Sequence, residues 1–497
     1  MRGARFLTGC WRWTVALAAT IGFTNLSSAA DGGDVSDRAA AAMLKAARFF
    51  HEHVASHGGY VYQYSTDLKL REGEGEAPPN VIWVQPPGTP AVGMAFLDAY
   101  DATGDMYYLT AARDAAEALI QGQLRSGGWN AMIEFDPELR KNYNYRVDPY
   151  RKSKSFTKGR DMTSLDDDKS QSACQFLMRL DQTLDHKDSV IHEAILYALD
   201  HLVAAQHDNG AFPQAFSGEP KKDPDPTRAA SFPKSWPRKY PGGDYWLFYT
   251  FNDNAMADTL GVMLEAWRVY GDSRYLASAI ACGDFMLRAQ LPEPQPAWAQ
   301  QYNFDMQPAW ARKFEPPSIS GLESQGVLRA LLSLYVATGD DRYLEPFPRA
   351  LAYLKRSLRD DGSLARFYEL ETNKPLYLTK DYQLTYSDAD MPTHYGFIVD
   401  AKLDEIERLY REVKASPPSQ SSPTSPTAKK PVRAPSAART AEVERIIAAQ
   451  DERGAWVEPG GMRYVRAGKD SPVIASKTFI ANLRELATFV AATRASN

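Results

Sequence analysis

A short pattern recurs six times along the chain and sets the kind of fold it can adopt. Each copy is an apolar helical run, a few polar residues, then a Gly-aromatic or similar step. The clearest copies are AARFFHEHVASHGGY ending at Tyr60, ALIQGQLRSGGW ending at Trp129 and LVAAQHDNGAF ending at Phe212. Weaker ones end at Trp298, Leu364 and Trp456. Four copies are preceded by a second helical run and a tight turn: Ala102-Thr103-Gly104-Asp105, Leu184-Asp185-His186-Lys187, Tyr270-Gly271-Asp272 and Ala337-Thr338-Gly339-Asp340. Each unit therefore reads as an α-hairpin. Apolar spacing such as Leu260, Met263, Leu264 and Trp267 has the period of a helix with one buried face.

The connections alternate, very short within a hairpin and roughly thirty to fifty residues between hairpins, whereas structureless loops of that length are uncommon unless they build a site. Hairpins wound about a common axis place all the short turns on one face and all the long loops on the other. The expected class is all-α, an α/α toroid, complete or incomplete, with a cleft formed by the long loops. An α-solenoid used for binding is the alternative.

Residues 1–30 read as an export signal: Arg2 and Arg5, an apolar run from Trp11 to Phe23, and Ser28-Ala29-Ala30 before Asp31. Cleavage after Ala30 removes three arginines and moves the net charge from −5 to −8, which excludes a general polyanion binder such as a nucleic-acid protein. No later apolar run is long enough for a membrane span. Export implies a secreted or periplasmic protein, expected to be a monomer. Cys174 and Cys282 sit in apolar helical stretches and read as small buried hydrophobes. Residues 31–414 form the expected toroid, and the Pro/Ser/Thr-rich segment 415–440 a disordered linker. Residues 441–497 complete the toroid with the sixth repeat and a last helix, near Ser476 to Thr493, closing on the first, near Val35 to His53.

The segments before the inner helices collect the unusual residues. They are VQPPGTPAVG from Val84, SLDDDKSQ from Ser164, FNDNAM from Phe251, FEPPSISGLES from Phe314 and MPTHYGF from Met391. One Asp before an apolar helical run is what an N-cap looks like, and Asp253 alone fits that reading. Asp166, Asp167 and Asp168 in succession exceed what one cap uses. With Asp253 they offer oxygen ligands for a hard cation such as Ca²⁺. The same face holds Arg312, Lys313, Arg366, Lys380 and Asp381 beside Tyr245, Trp246, Tyr368 and Tyr395. Aromatic faces for sugar rings and arginines for carboxylates suit an acidic carbohydrate.

LDDD at Leu165, NGAFPQ at Asn209, FNDNAM at Phe251, ARKFEPPSISGLES at Ala311 and LARFYELETNKPLYLTKD at Leu364 stand in the order of the family-10 polysaccharide lyases, the pectic acid lyases. The resemblance runs from about Gly128 to Phe397. It implies an α/α toroid that cleaves polygalacturonate by Ca²⁺-assisted β-elimination. Carried over by motif, Asp166, Asp167 and Asp253 are the implied metal ligands, and Arg312 and Arg366 the implied catalytic arginines. The family's base is an Arg fourteen residues beyond the second of these, and the same count reaches Lys380. Other departures are Asp167 for Asn, Phe212 for Trp, and an insertion from Ser217 to Gly243 that reshapes the cleft.

The expected reaction removes the proton α to a uronate carboxylate once charge on that carboxylate is neutralised. Lysine sheds a proton more readily than arginine, so Lys380 can serve as base. The substrate-binding set is Tyr368, Tyr395, Lys313 and Asp381. Two other classes share these residues: a glycoside hydrolase using paired carboxylates such as Asp166 and Asp253, and a catalytically weak relative that binds acidic polysaccharide.

Overall fold

The computed structural model describes residues 28–150, 161–218, 220, 225–416 and 435–496. The export-signal expectation thus lies outside the described residues, apart from Ser28 to Ala30 at the start of the first helix. Twelve α-helices follow in these residues: α1 Ser28–Phe49, α2 Thr89–Thr103, α3 Met106–Gln121, α4 Lys169–Thr183, α5 Ser189–Ala204 and α6 Ala255–Tyr270. The rest are α7 Ser273–Ala289, α8 Glu323–Thr338, α9 Phe347–Arg356, α10 Leu403–Ala415, α11 Ala437–Ala448 and α12 Ser476–Ser496. Residues 417–434, most of the expected linker, lie outside the described residues.

The hairpin turns follow from two residue types. Gly104, Gly271 and Gly339 take left-handed φ of 73°, 69° and 71° at the end of an inner helix, a conformation that penalises a Cβ. The next residue, Asp105, Asp272 or Asp340, caps the following helical turn by accepting the N–H of Tyr107, Arg274 or Arg342. The repeat's aromatic step has a matching cause. The indoles of Trp129, Trp298 and Trp456 are buried, and each donates at 2.8 Å to a carbonyl in the last turns of the preceding outer helix: Leu119, Met286 and Ile446. Helix ends leave such carbonyls without intrahelical partners.

Alternate helices form an inner ring in which α12 packs on α2, α2 on α4, α4 on α6, α6 on α8 and α8 on α10. Around it, α3, α5 and α7 pack on their hairpin partners, α9 packs on α10, and α1 packs on α11 and α12. The chain is therefore an α/α toroid. The ring is incomplete, because α10 makes no comparable contact with α12 among the described residues. One continuous apolar core runs through both layers, and Cys174 and Cys282 are buried in it. No described helix is long and apolar enough to cross a membrane.

The long loops are stitched together on one face by short antiparallel ladders. Thr163–Ser164 pairs with Ala215–Phe216, Tyr249–Thr250 with Gln301–Tyr302, and Ile319–Ser320 with Phe367–Tyr368. Each ladder delivers the chain to the N-terminus of an inner helix. The ladders thus place the segments before α4, α6 and α8 side by side.

Candidate active site

Two loops with the same backbone carry the acids. In Leu165-Asp166-Asp167-Asp168-Lys169, Asp167 and Asp168 have φ of 50° and 58°. In Phe251-Asn252-Asp253-Asn254-Ala255, Asp253 and Asn254 have φ of 48° and 61°. Four non-glycine residues in this region cost about 1 kcal/mol each, and such conformations persist where the surroundings impose them. The capping expectation for Asp253 does not hold. The N-cap residues of α4 and α6 are Asp168 and Asn254, and neither side chain accepts a capping hydrogen bond. The left-handed backbone instead turns the carboxylates toward one another, and Asp166, Asp167 and Asp253 each bring an oxygen within 4.8 Å of the others.

Polar neighbours orient the cluster. Gln214 donates to Asp166 Oδ1 at 2.8 Å and Asn252 to the same oxygen at 3.1 Å. Lys169, only 7% exposed, places Nζ 3.2 Å from Asp166 Oδ2 and 3.4 Å from Asp167 Oδ2. Burial raises the pKa of Asp166, but Lys169, Arg312 and the Gln214 hydrogen bond outweigh it and hold the group below the usual range. Asp167 goes the other way, pushed up to about 6 by burial and then by the charge of Asp166. Behind the cluster, Asp168 is pushed up to about 7 by burial and then by Asp258, which burial itself lifts to about 6.

Two arginines meet at Asp253. Arg366 Nη2 donates to Asp253 Oδ1 at 2.7 Å and to Glu323 Oε1 at 2.6 Å, with its guanidinium over the Tyr395 ring at 4.4 Å. Arg312 reaches Asp253 Oδ2 at 3.4 Å and grips Glu315 through Nε and Nη2 at 2.8 and 2.5 Å. Burial lowers the pKa of both guanidinium groups, but Glu315 beside Arg312 and Glu323 beside Arg366 more than reverse this, so both stay charged. The Tyr395 hydroxyl donates to Glu315 Oε1 at 2.9 Å, and burial followed by Glu315 drives its pKa well up. Glu315, Glu323, Lys169, Gln214 and Asn252 were not among the expected site residues. Their signal was positional, since each stands inside or beside one of the quoted motifs.

The structure thus brings together Asp166, Asp167, Asp253, Arg312, Arg366 and Tyr395. Lys313 lies at the edge, its Nζ 3.8 Å over the Tyr382 ring. Tyr382 in turn packs on Phe314 and His394, holding the Thr379–Tyr382 turn against this wall. Lys380 and Asp381 on that turn are exposed. Lys380 pairs with Asp390 at 2.9 Å, and none of its described contacts reaches the acidic cluster. Tyr368 does not present a face to a sugar. It is 1% exposed, accepts the Ala365 N–H and donates to the Ser357 carbonyl, because its short strand is sandwiched between two others. From the inserted segment, Trp236 and Tyr240 pack against the Trp310 ring, and Trp310 Nε1 donates to the Pro237 carbonyl at 2.7 Å. A cavity of about 280 Å³ lined by Trp236, Pro237 and Trp310 is bordered by Tyr245.

Carboxylates clamped by arginines on the loop face of an incomplete toroid define an α/α-toroid protein with an acidic, cation-compatible site. The pectic acid lyase family model matches residues 134–340, a span that holds Asp166, Asp167, Asp253 and Arg312. That match bears out the resemblance read from the motifs: over this span the chain is similar to the pectic acid lyases. Among solved structures it is similar to a family 10 polysaccharide lyase from Cellvibrio cellulosa, at 22% identity over 64% of this chain and 98% of the other, TM-score 0.44. A mutant of a family 10 polysaccharide lyase from that organism in complex with trigalacturonic acid matches at 20% identity over 66% and 98%, TM-score 0.43. An inactive α-1,6-mannanase variant from Salegentibacter sp. HEL1_6 in complex with α-1,6-mannotriose matches at 11% identity over 93% and 99%, TM-score 0.39. No curated protein matches the chain.

Proposed function

We propose that this protein is a polysaccharide lyase that acts on polygalacturonate outside the cytoplasm by Ca²⁺-assisted β-elimination, leaving an unsaturated uronate end. The observation that carries this reading is the charge balance of the cluster. Asp166, Asp167, Asp253, Glu315 and Glu323 face Lys169, Arg312 and Arg366, which leaves two formal negative charges uncompensated. One divalent cation supplies that difference, and three carboxylates with oxygens this close are a donor set for a hard ion. Asp166, Asp167 and Asp253 are the proposed ligands. The ion's contribution, when bound, is to neutralise a uronate carboxylate and so acidify the adjacent C–H.

The remaining work falls to side chains. Arg312, 28% exposed, is the arginine positioned to receive a carboxylate from solution, while Arg366, 6% exposed, fixes Asp253. In the elimination a base takes the proton α to the carboxylate, the electron pair forms the double bond to the β-carbon, and the bond to the glycosidic oxygen breaks. The proposed base is Lys380. Its pair with Asp390 is solvent-exposed, hence weak and readily exchanged for substrate, and its flexible stem gives it reach from a turn anchored by Tyr382. Tyr395 lines the site, and Asp381 and Lys313 border it as proposed substrate contacts.

The test is the purified protein with polygalacturonate, with and without Ca²⁺, followed by absorbance of the unsaturated product. Product that requires Ca²⁺ supports the reading; product in excess chelator removes the ion from it. The exposure of Lys380 favours one second reading, a polygalacturonate-binding relative with little turnover, for which the chain binds the polymer and no product accumulates.

A further inference from the structure

The hairpin between α4 and α5 breaks the Gly-Asp turn pattern, and what replaces it is a cluster at the opposite end of α4 from the acidic loops. We propose that Asp181, His186 and His192 form a site for a divalent first-row transition ion of the Zn²⁺ type. Asp181 lies in the last turn of α4 and is fully buried. His186 lies in the turn and His192 in the first turns of α5. The Nδ1 atoms of both histidines stand 2.9 Å from the same oxygen, Asp181 Oδ2, and the Tyr270 hydroxyl at the end of α6 donates to it at 2.9 Å.

The second observation is the other oxygen of that carboxylate. Asp181 Oδ1 is buried and has no hydrogen-bond partner, although three donors crowd Oδ2. A buried acceptor left unsatisfied is costly, and an ion held by the two imidazoles and by both oxygens of the carboxylate removes the imbalance, which coordination through Oδ2 alone would not. The donor set selects the ion. Two imidazoles and one carboxylate suit Zn²⁺ and its neighbours, whereas Ca²⁺ takes six to eight oxygens. Ligands about 2.0–2.1 Å from a tetrahedral ion sit about 3.3 Å from one another, so the 2.9 Å separations need open only by a few tenths of an ångström. The imidazoles are 38% and 35% exposed, which leaves an entry path for the ion.

This site is independent of the lyase centre. α4 has 15 residues, and at about 1.5 Å per residue its two ends are roughly 20 Å apart. A bound ion ties the α4–α5 turn to the residue that Tyr270 touches from α6, clamping the far ends of the two helices whose near ends carry Asp166, Asp167 and Asp253.

The experiment compares chelator-stripped wild type with a His186→Ala/His192→Ala variant, titrating each with ZnCl2 by calorimetry and recording thermal unfolding with and without Zn²⁺. The acidic loops are unchanged in both, so ions they take cancel in the comparison. The expected result is one additional Zn²⁺ per wild-type chain and a Zn²⁺-dependent rise in Tm that the variant lacks. Co²⁺ should give the wild type alone the visible absorption of a tetrahedral complex. Equal stoichiometry and equal Tm shifts in the two proteins overturn the proposal, as does a wild type that takes up no Zn²⁺. If the double variant does not fold, His186→Gln, which keeps a donor to Asp181, makes the same comparison.

Discussion

The ammonium of Lys169 lies 3.2 Å from Asp166 Oδ2, inside the group of carboxylates proposed to hold Ca²⁺. The chain thus carries part of the compensating charge itself. Lys169→Met should remove it, tightening Ca²⁺ binding about tenfold while lowering Tm in chelator, where the mutual repulsion of Asp166 and Asp167 is left unrelieved. The loss should be about 2 kcal/mol, between the values for exposed and buried pairs. Calorimetric titration with Ca²⁺ and thermal melts in EDTA measure both. Unchanged Ca²⁺ affinity would place Lys169 outside the ion's field.

Arg366→Ala should be the more damaging change. It leaves Glu323, which is fully buried, and Asp253 without their shared donor, and an uncompensated buried charge costs about 3–5 kcal/mol. Arg366→Lys should recover only part of this, since one ammonium does not reproduce the planar donor stacked on Tyr395. Urea titrations of the three proteins give the comparison, and an Ala variant as stable as wild type would contradict the clamp.

Lys380→Ala should abolish product formation by orders of magnitude with affinity for polygalacturonate and Tm unchanged, because the side chain is exposed and its partner Asp390 is too. Steady-state rates and a binding isotherm separate the two effects. A near-wild-type rate would move the base elsewhere.

Asp168 and Asp258 predict a pH dependence of the metal-free protein. Both have folded pKa values above the ordinary carboxylate value, about 7 and about 6, because burial penalises the charged form. The folded state therefore binds these protons more tightly than the unfolded chain. Their contribution is fully present below about pH 4 and is lost as pH rises through 6 and 7. Asp168→Asn should flatten the fall in Tm between pH 5 and pH 8 measured in chelator, and an identical slope in the variant would refute the assignment.

The hairpin architecture was legible because its signals are local. A left-handed Gly followed by a capping Asp ends one helix and starts the next within a few residues, and each repeat tryptophan reaches a carbonyl only ten or twelve residues earlier. The acidic loops were legible as unusual for the same reason: three carboxylates in succession have no single-cap explanation. Only the tertiary structure decided what those residues do. Whether Asp253 caps α6 or faces Asp166 depends on its φ of 48° and on ladders joining loops far apart in sequence. Tyr368 stands in the motif that also supplies Arg366, yet its strand is paired on both edges and its hydroxyl is taken up by the Ala365 N–H and the Ser357 carbonyl, which buries it. Glu315 and Glu323 look in sequence like two more loop acids. Glu315 grips Arg312 from three residues away in the same loop, whereas Glu323 meets Arg366, 43 residues on, because the ladder of Ile319–Ser320 with Phe367–Tyr368 sets the two segments side by side.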